Sequence, residues 1–297
     1  MNIVFFGSSK YVIPIIEVLR KNFDLKLIIT TERNPTDSIT YYSIKHKVPY
    51  LSTTSLSISN LKSYIINLKS PLAILASFGA IIPEEILNIF PKGIINIHPS
   101  LLPKYRGPTP VQTAILNGDN TTGLTIIKLD EQVDHGPILA QVKEPILEND
   151  TAESLYERLF KLSASSIVRT IELYLKGKIE LRQQNHVKAT FTKRLSRVDG
   201  YVDISKLKTQ NSKLLNRMIR AYHPWPGVWT NIQTTTNKQL LTTKKTSEVS
   251  NQKLEVRIKF LPEKKIQVEG KKPMSYNDFI NGYPKIGKEI LTKLEIN

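Results

Sequence analysis

Apolar residues in the first hundred positions fall into short unbroken runs separated by stretches with helical spacing. IVFF (3–6) ends at Gly7, and Tyr11 to Asn22 then places Ile15, Ile16 and Leu19 on one helical face. LKLIIT (25–30) reads as a second strand and Ile39 to Lys47 as a short helix after Asp37. LAILASF (72–78) reads as a third strand and GIINIHP (93–99) as a fourth. Strands that are apolar throughout and alternate with helices predict a parallel sheet covered on both faces. The expected fold class is α/β, a doubly wound Rossmann-like sheet.

The pattern changes after Thr151. ESLYERLFKLSASSIVRTIELYLKG has a long amphipathic period, with Asp150 or Thr151 as its cap, Glu153 nearby and Gly177 at its end. Gln183 to Asp203 is polar and basic with little period, which predicts a linker. Beyond it KLLNRMIRAY reads as a helix stopped by HPWPG, and VWTNI, KLEVRIKFL and KIQVEG read as short strands. Such strands with Thr- and Lys-rich connections predict a small OB-like β-barrel. Thr236 to Gln252 reads as a mobile loop. The expected division is a catalytic domain over 1–184, a linker over 185–203 and a basic β-barrel over 204–297.

Composition narrows the chemistry. The 297 residues include 40% hydrophobic ones, enough for a real core, and no cysteine, which excludes thiolate nucleophiles, disulfides and cysteine-ligated metals. Pro71 to Pro83 is too short to span a bilayer and runs into Glu84 and Glu85, so a soluble, unprocessed, cytoplasmic chain without membrane contact is expected. The net charge of +16 is uneven. Residues 1–185 hold 20 Lys and Arg against 17 Asp and Glu, and the rest hold 22 against 9. A net of +3 beside one of +13 points to a polyanionic partner for the later part. A lysine-rich surface with no such partner is the plainer alternative.

Candidate chemistry concentrates in NIHPSLLPKYRG (96–107). Residues two apart on a strand share a face, so Asn96 and His98 project together at a strand's carboxyl end, where doubly wound sheets bind ligands. An amide can donate to a developing oxyanion and an imidazole can move a proton near neutrality. The chain lacks the three glycines of a dinucleotide fingerprint, although Gly7 and Glu32 are placed as one would need. It also lacks a G-x-S-x-G elbow for Ser100 and an H-E-x-x-H metal motif. No metal is expected, and acyl transfer between bound partners remains.

INIHPSLLPKYRGPTPVQTAILNGDNTTGLTIIKLDEQVDHGPIL resembles the central signature of the methionyl-tRNA formyltransferase family. IRAYHPWPGVWT resembles the start of that family's carboxyl-terminal domain, and GKKPMSYNDFINGYP its ending. The resemblance implies a triad of Asn96, His98 and Asp134, the last preferred to Asp130 because it precedes Gly136 and Pro137. It implies that Ser100, Leu101, Leu102 and Pro103 line the site for a tetrahydrofolate. It implies 10-formyltetrahydrofolate as donor and the methionine amine of initiator methionyl-tRNA as acceptor; a monomer is expected. Lys104, Arg106 and Arg33 are candidate substrate cations. A formyltransferase acting on an amino sugar nucleotide or other small amine is the nearest alternative, and a non-catalytic RNA-binding protein on the same scaffold is another. Where the family carries a longer glycine-rich basic loop after the second strand, TTERNPTDSITYY is short, which implies weaker discrimination among transfer RNAs.

Overall fold

The computed structural model describes residues 1–32, 34, 36–53, 58–204, 212–234, 254–284, 287–288 and 290. Arg33 and the whole of the expected mobile loop, Thr236 to Gln252, lie outside them. The chain divides into two compact units. The first comprises Met1–Ala114, Asp119–Leu147 and Ser154–Arg194, and the second Ile115–Gly118, Glu148–Glu153 and Leu195–Asn297. Residues 185–194, read from sequence as linker, belong to the first unit.

In chain order the first part runs β1 (Asn2–Phe6), α1 (Ile13–Asn22), β2 (Asp24–Thr30), α2 (Ser38–His46), β3 (Tyr50–Ser52), α3 (Ile58–Asn67) and β4 (Leu72–Ala76). There follow α4 (Glu84–Leu87), β5 (Ile94–His98), α5 (Pro110–Asn117), β6 (Thr121–Lys128), β7 (Ile138–Pro145) and α6 (Ala152–Leu175). The strands form one sheet in the order β3-β2-β1-β4-β5-β6-β7. The first five are parallel, as the apolar runs of β1, β2, β4 and β5 predict; β3 was not expected from the sequence, and β6 and β7 pair antiparallel. The chain winds outward from β1 to β3 and then returns to β4 on the other side, so a crevice opens beyond the carboxyl ends of β1 and β4.

Alternation sorts each strand between two cores. Ile3, Phe5, Ile74, Ile95 and Ile97 face α1 and α6 through Ile15, Ile16, Phe160 and Ile167. Val4, Phe6, Leu27, Ile29 and Ile94 face α3 and α4 through Ile65 and Ile86, with Phe78 and Phe90 edge-on to Phe6. Full burial of each such side chain contributes about 1.5–3 kcal/mol. The parity of β5 matters most, because Asn96 and His98 continue the face that begins at Ile94.

Glu32, which sequence placed where a ribose-binding acid could sit, is used internally. Its carboxylate accepts from the backbone N–H groups of Ile39 (2.8 Å) and Thr40 (3.3 Å), capping α2. Burial raises its pKa, and those two donors oppose the shift.

The later elements are α7 (Ser212–Ala221), β8 (Val228–Thr234), β9 (Leu254–Leu261), β10 (Lys265–Val268), β11 (Met274–Ser275) and α8 (Tyr276–Gly282). The described strands of the expected barrel form a four-stranded antiparallel meander, β11-β10-β9-β8, around Val228, Val256, Ile258, Phe260 and Ile266.

Candidate active site

A polar side chain on a buried strand face is costly unless it is hydrogen-bonded. Asn96 and His98 are each 5% exposed at the carboxyl end of β5. Asp134, 38 positions later in the loop between β6 and β7, satisfies both: Asn96 Nδ2 donates to its Oδ1 at 3.0 Å, and His98 Nδ1 lies 3.4 Å from its Oδ2. The Gly107 N–H donates to that same Oδ2 at 2.8 Å. Asp134 adopts φ +49°, a left-handed conformation that aspartate tolerates better than most residues. Gly136 then turns the loop so tightly that a Cβ there would overlap the Lys128 carbonyl oxygen.

The other edge of His98 is fixed as well. Its Nε2 donates to the Tyr105 carbonyl oxygen at 2.9 Å, since a carbonyl can only accept. Nδ1 is therefore the nitrogen turned toward Asn96 and Asp134. One hydrogen of the Asn96 amide is taken by Asp134, and the second is available to a ligand.

The loop leaving β5 is organised by Thr125, which lies opposite His98 on β6. Its hydroxyl donates to the Ser100 carbonyl (2.6 Å) and accepts from the Leu102 N–H (3.1 Å) and Gln141 Nε2 (2.9 Å). Ser100 is fully buried, with Oγ donating to the Lys104 carbonyl at 2.6 Å, and Leu102 packs on Ile127 and Ile138. Of the four residues that the resemblance assigns to folate, Leu101 and Pro103 are partly exposed, and Ser100 and Leu102 are buried.

The candidate cations fare differently. Lys104 is half-exposed and pairs with Asp119 at 2.7 Å. Arg106 is 3% exposed, with its guanidinium turned inward to Gln184 and His186. In this arrangement the guanidinium is engaged by those two side chains. Asp130, the rejected alternative to Asp134, pairs with His135 at 2.6 Å. Sequence reading missed Thr125, Gln141, Gln184, Thr190 and Thr192. The last two hold the Tyr105–Gly107 backbone: the Thr190 hydroxyl accepts from Tyr105 N, and the Thr192 hydroxyl donates to the Arg106 carbonyl. No spacing rule links them to residue 98. Among the described residues, no group of three or more potential metal ligands is present and no helix is long and apolar enough to cross a membrane.

Comparison with known proteins gives the family. Residues 1–171 match the Formyl transferase family and residues 204–284 the Formyl transferase, C-terminal domain family. The methionyl-tRNA formyltransferase of Buchnera aphidicola subsp. Schizaphis graminum is 35% identical over 235 residues, covering 76% of this chain and 74% of that protein. That of Chloroflexus aggregans is 36% identical over 239 residues, covering 77% and 76%. The chain belongs to the methionyl-tRNA formyltransferase family. As a member of that family it is a formyltransferase, and its formyl donor is folate-derived. Among solved structures, the sugar 3N-formyltransferase WlaRD, determined with dTDP and 5-N-formyl-tetrahydrofolate, shares the fold with a TM-score of 0.59 and 20% identity over 91% of this chain and 98% of that one.

Proposed function

We propose that the chain transfers the formyl group of 10-formyltetrahydrofolate to the α-amino group of methionine on initiator methionyl-tRNA, in the cytoplasm, at Asn96, His98 and Asp134. The observation that carries the reading is the convergence of these three side chains at the carboxyl end of β5, in a chain more than a third identical to methionyl-tRNA formyltransferases.

The uncharged amine attacks the formyl carbon, forming the new C–N bond while the carbonyl oxygen gathers negative charge. The second Asn96 N–H and a proton on His98 Nδ1 are the donors for that oxygen. Asp134, held by Asn96 and Gly107, sets the charge on the imidazole and takes up the proton shed by the amine. Cleavage of the bond to the folate nitrogen then returns a proton to that nitrogen, leaving tetrahydrofolate and formylmethionyl-tRNA. Fixing His98 Nε2 on the Tyr105 carbonyl leaves Nδ1 as the nitrogen that serves the oxyanion through both steps. The half-exposed apolar surfaces of Leu101 and Pro103 suit the flat ring of the donor.

The test is a formylation assay with 10-formyltetrahydrofolate and three acceptors: charged initiator tRNA, elongator methionyl-tRNA and a dTDP-linked amino sugar. Formylmethionine on the initiator tRNA is expected, with little or none on the sugar. Turnover of the sugar alone would overturn the choice of substrate.

A further inference from the structure

Behind Asp134 lies a chain of contacts that reaches the surface through two histidines. Gln184 Nε2 donates to the carbonyls of Asp134 (2.9 Å) and Gly136 (2.8 Å). Its Oε1 accepts from Arg106 Nε (3.2 Å) and Nη2 (2.8 Å). Arg106 Nη2 also meets His186 Nδ1 at 2.8 Å. The His186 ring lies flat on that of His135, with centroids 3.9 Å apart and planes 8° from parallel, and His135 Nδ1 sits 2.6 Å from Asp130 Oδ2.

We propose that His186, in its neutral form, is a positioning residue for Asp134: by accepting from Arg106 it fixes the guanidinium that orients Gln184, and through Gln184 the backbone of the Asp134–Gly136 turn. The inference rests on the reading of Asn96, His98 and Asp134 as the transfer site.

The protonation state follows from the donors. A guanidinium only donates, so it can hold His186 Nδ1 only while that nitrogen keeps its lone pair. The charged groups around the ring are Asp130 and His135 from the loop after β6 and Arg106 from the loop after β5. The His135 ring is stacked on that of His186, so a positive charge on both rings at once is unfavourable. Partial desolvation, then the charges of His135 and Arg106, push His186 below the ordinary imidazole value of 6.5, and Asp130 opposes them. A group with a lowered pKa supports the folded arrangement fully above its ordinary value and loses that support as pH falls through the lowered one. Protonation of Nδ1 then puts a donor against Arg106, and the brace behind Asp134 opens.

Two variants of the full chain test this, His186→Ala and His186→Asn, the second retaining an acceptor that does not titrate. At pH 8, His186→Ala should lower single-turnover formyl transfer roughly tenfold, the loss of one charge-assisted hydrogen bond. Tetrahydrofolate affinity by titration should change less than about twofold, since no donor contact is touched. His186→Asn should restore most of the rate, and its ratio to wild type should climb from pH 8 to pH 5.5 because only the wild type loses its acceptor. Wild-type rates for His186→Ala, or a ratio that stays flat with pH, would overturn the proposal. Nitrogen-15 spectra of the histidine rings give a readout that needs no substrate. His186 should carry its proton on Nε2 at pH 7, and a proton on Nδ1 would refute the inference. If the wild type formylates no tRNA, the functional reading fails while the spectra still decide this one.

Discussion

Asp134 meets three demands at one carboxylate: it accepts from Asn96, accepts from Gly107 and faces His98. Asp134→Asn is therefore not neutral. Whichever way the new amide turns, one N–H confronts a donor, Asn96 Nδ2 or the Gly107 backbone, at a site only 11% exposed. Asp134→Asn and His98→Ala should each lower kcat by about 100-fold or more, as loss of a group at a developing oxyanion does. Circular dichroism should show both variants folded, because the cores on the two sheet faces are untouched. Near-normal turnover in either purified variant would remove that residue from the chemistry. Asn96 and His98 were legible in the sequence from two-residue spacing alone. Asp134 came only with the family resemblance, since nothing in the local pattern of LDEQVDHG separates it from Asp130.

At the scale of elements, the connection from β2 to α2 sets how much backbone can reach a substrate. Thr30, Thr31 and Glu32 are committed inward: the Ser8 hydroxyl accepts from the Thr31 N–H at 2.8 Å, and Glu32 caps α2. The segment leaves little chain to enter an RNA stem, so the discrimination such a loop could add is reduced. The ratio of kcat/KM for initiator over elongator methionyl-tRNA should be smaller than in a family member with a longer basic loop here. An equal or larger ratio would show that another element reads the initiator. Four of the five parallel strands and α6 were readable because apolar runs and a long amphipathic period are strong local signals, whereas the three-residue β3 has no such run. The antiparallel β6 and β7 were not: TTGLTIIK and ILAQVKEP carry no local mark of direction, which depends on the partner strand.

Across the whole molecule, the +13 carried by residues 186–297 should make tRNA affinity strongly salt-dependent, each neutralised phosphate adding roughly 0.7–0.9 to the slope of log K against log salt. Reversing the exposed charges Lys259, Lys271 and Lys272 to Glu should weaken binding and flatten that slope, while tetrahydrofolate affinity stays as in the wild type. An unchanged slope would assign the electrostatic contact to other residues. The sequence by itself determined the α/β class, the basic later region and the Asn96–His98 pair, because periodicity, charge and spacing are properties of neighbours along the chain. Only the tertiary structure decided that the Arg106 guanidinium turns inward and that residues 184–192 hold the site from behind. Those roles depend on hydrogen bonds between groups 48 to 86 positions apart, a distance at which no local pattern constrains one residue by another.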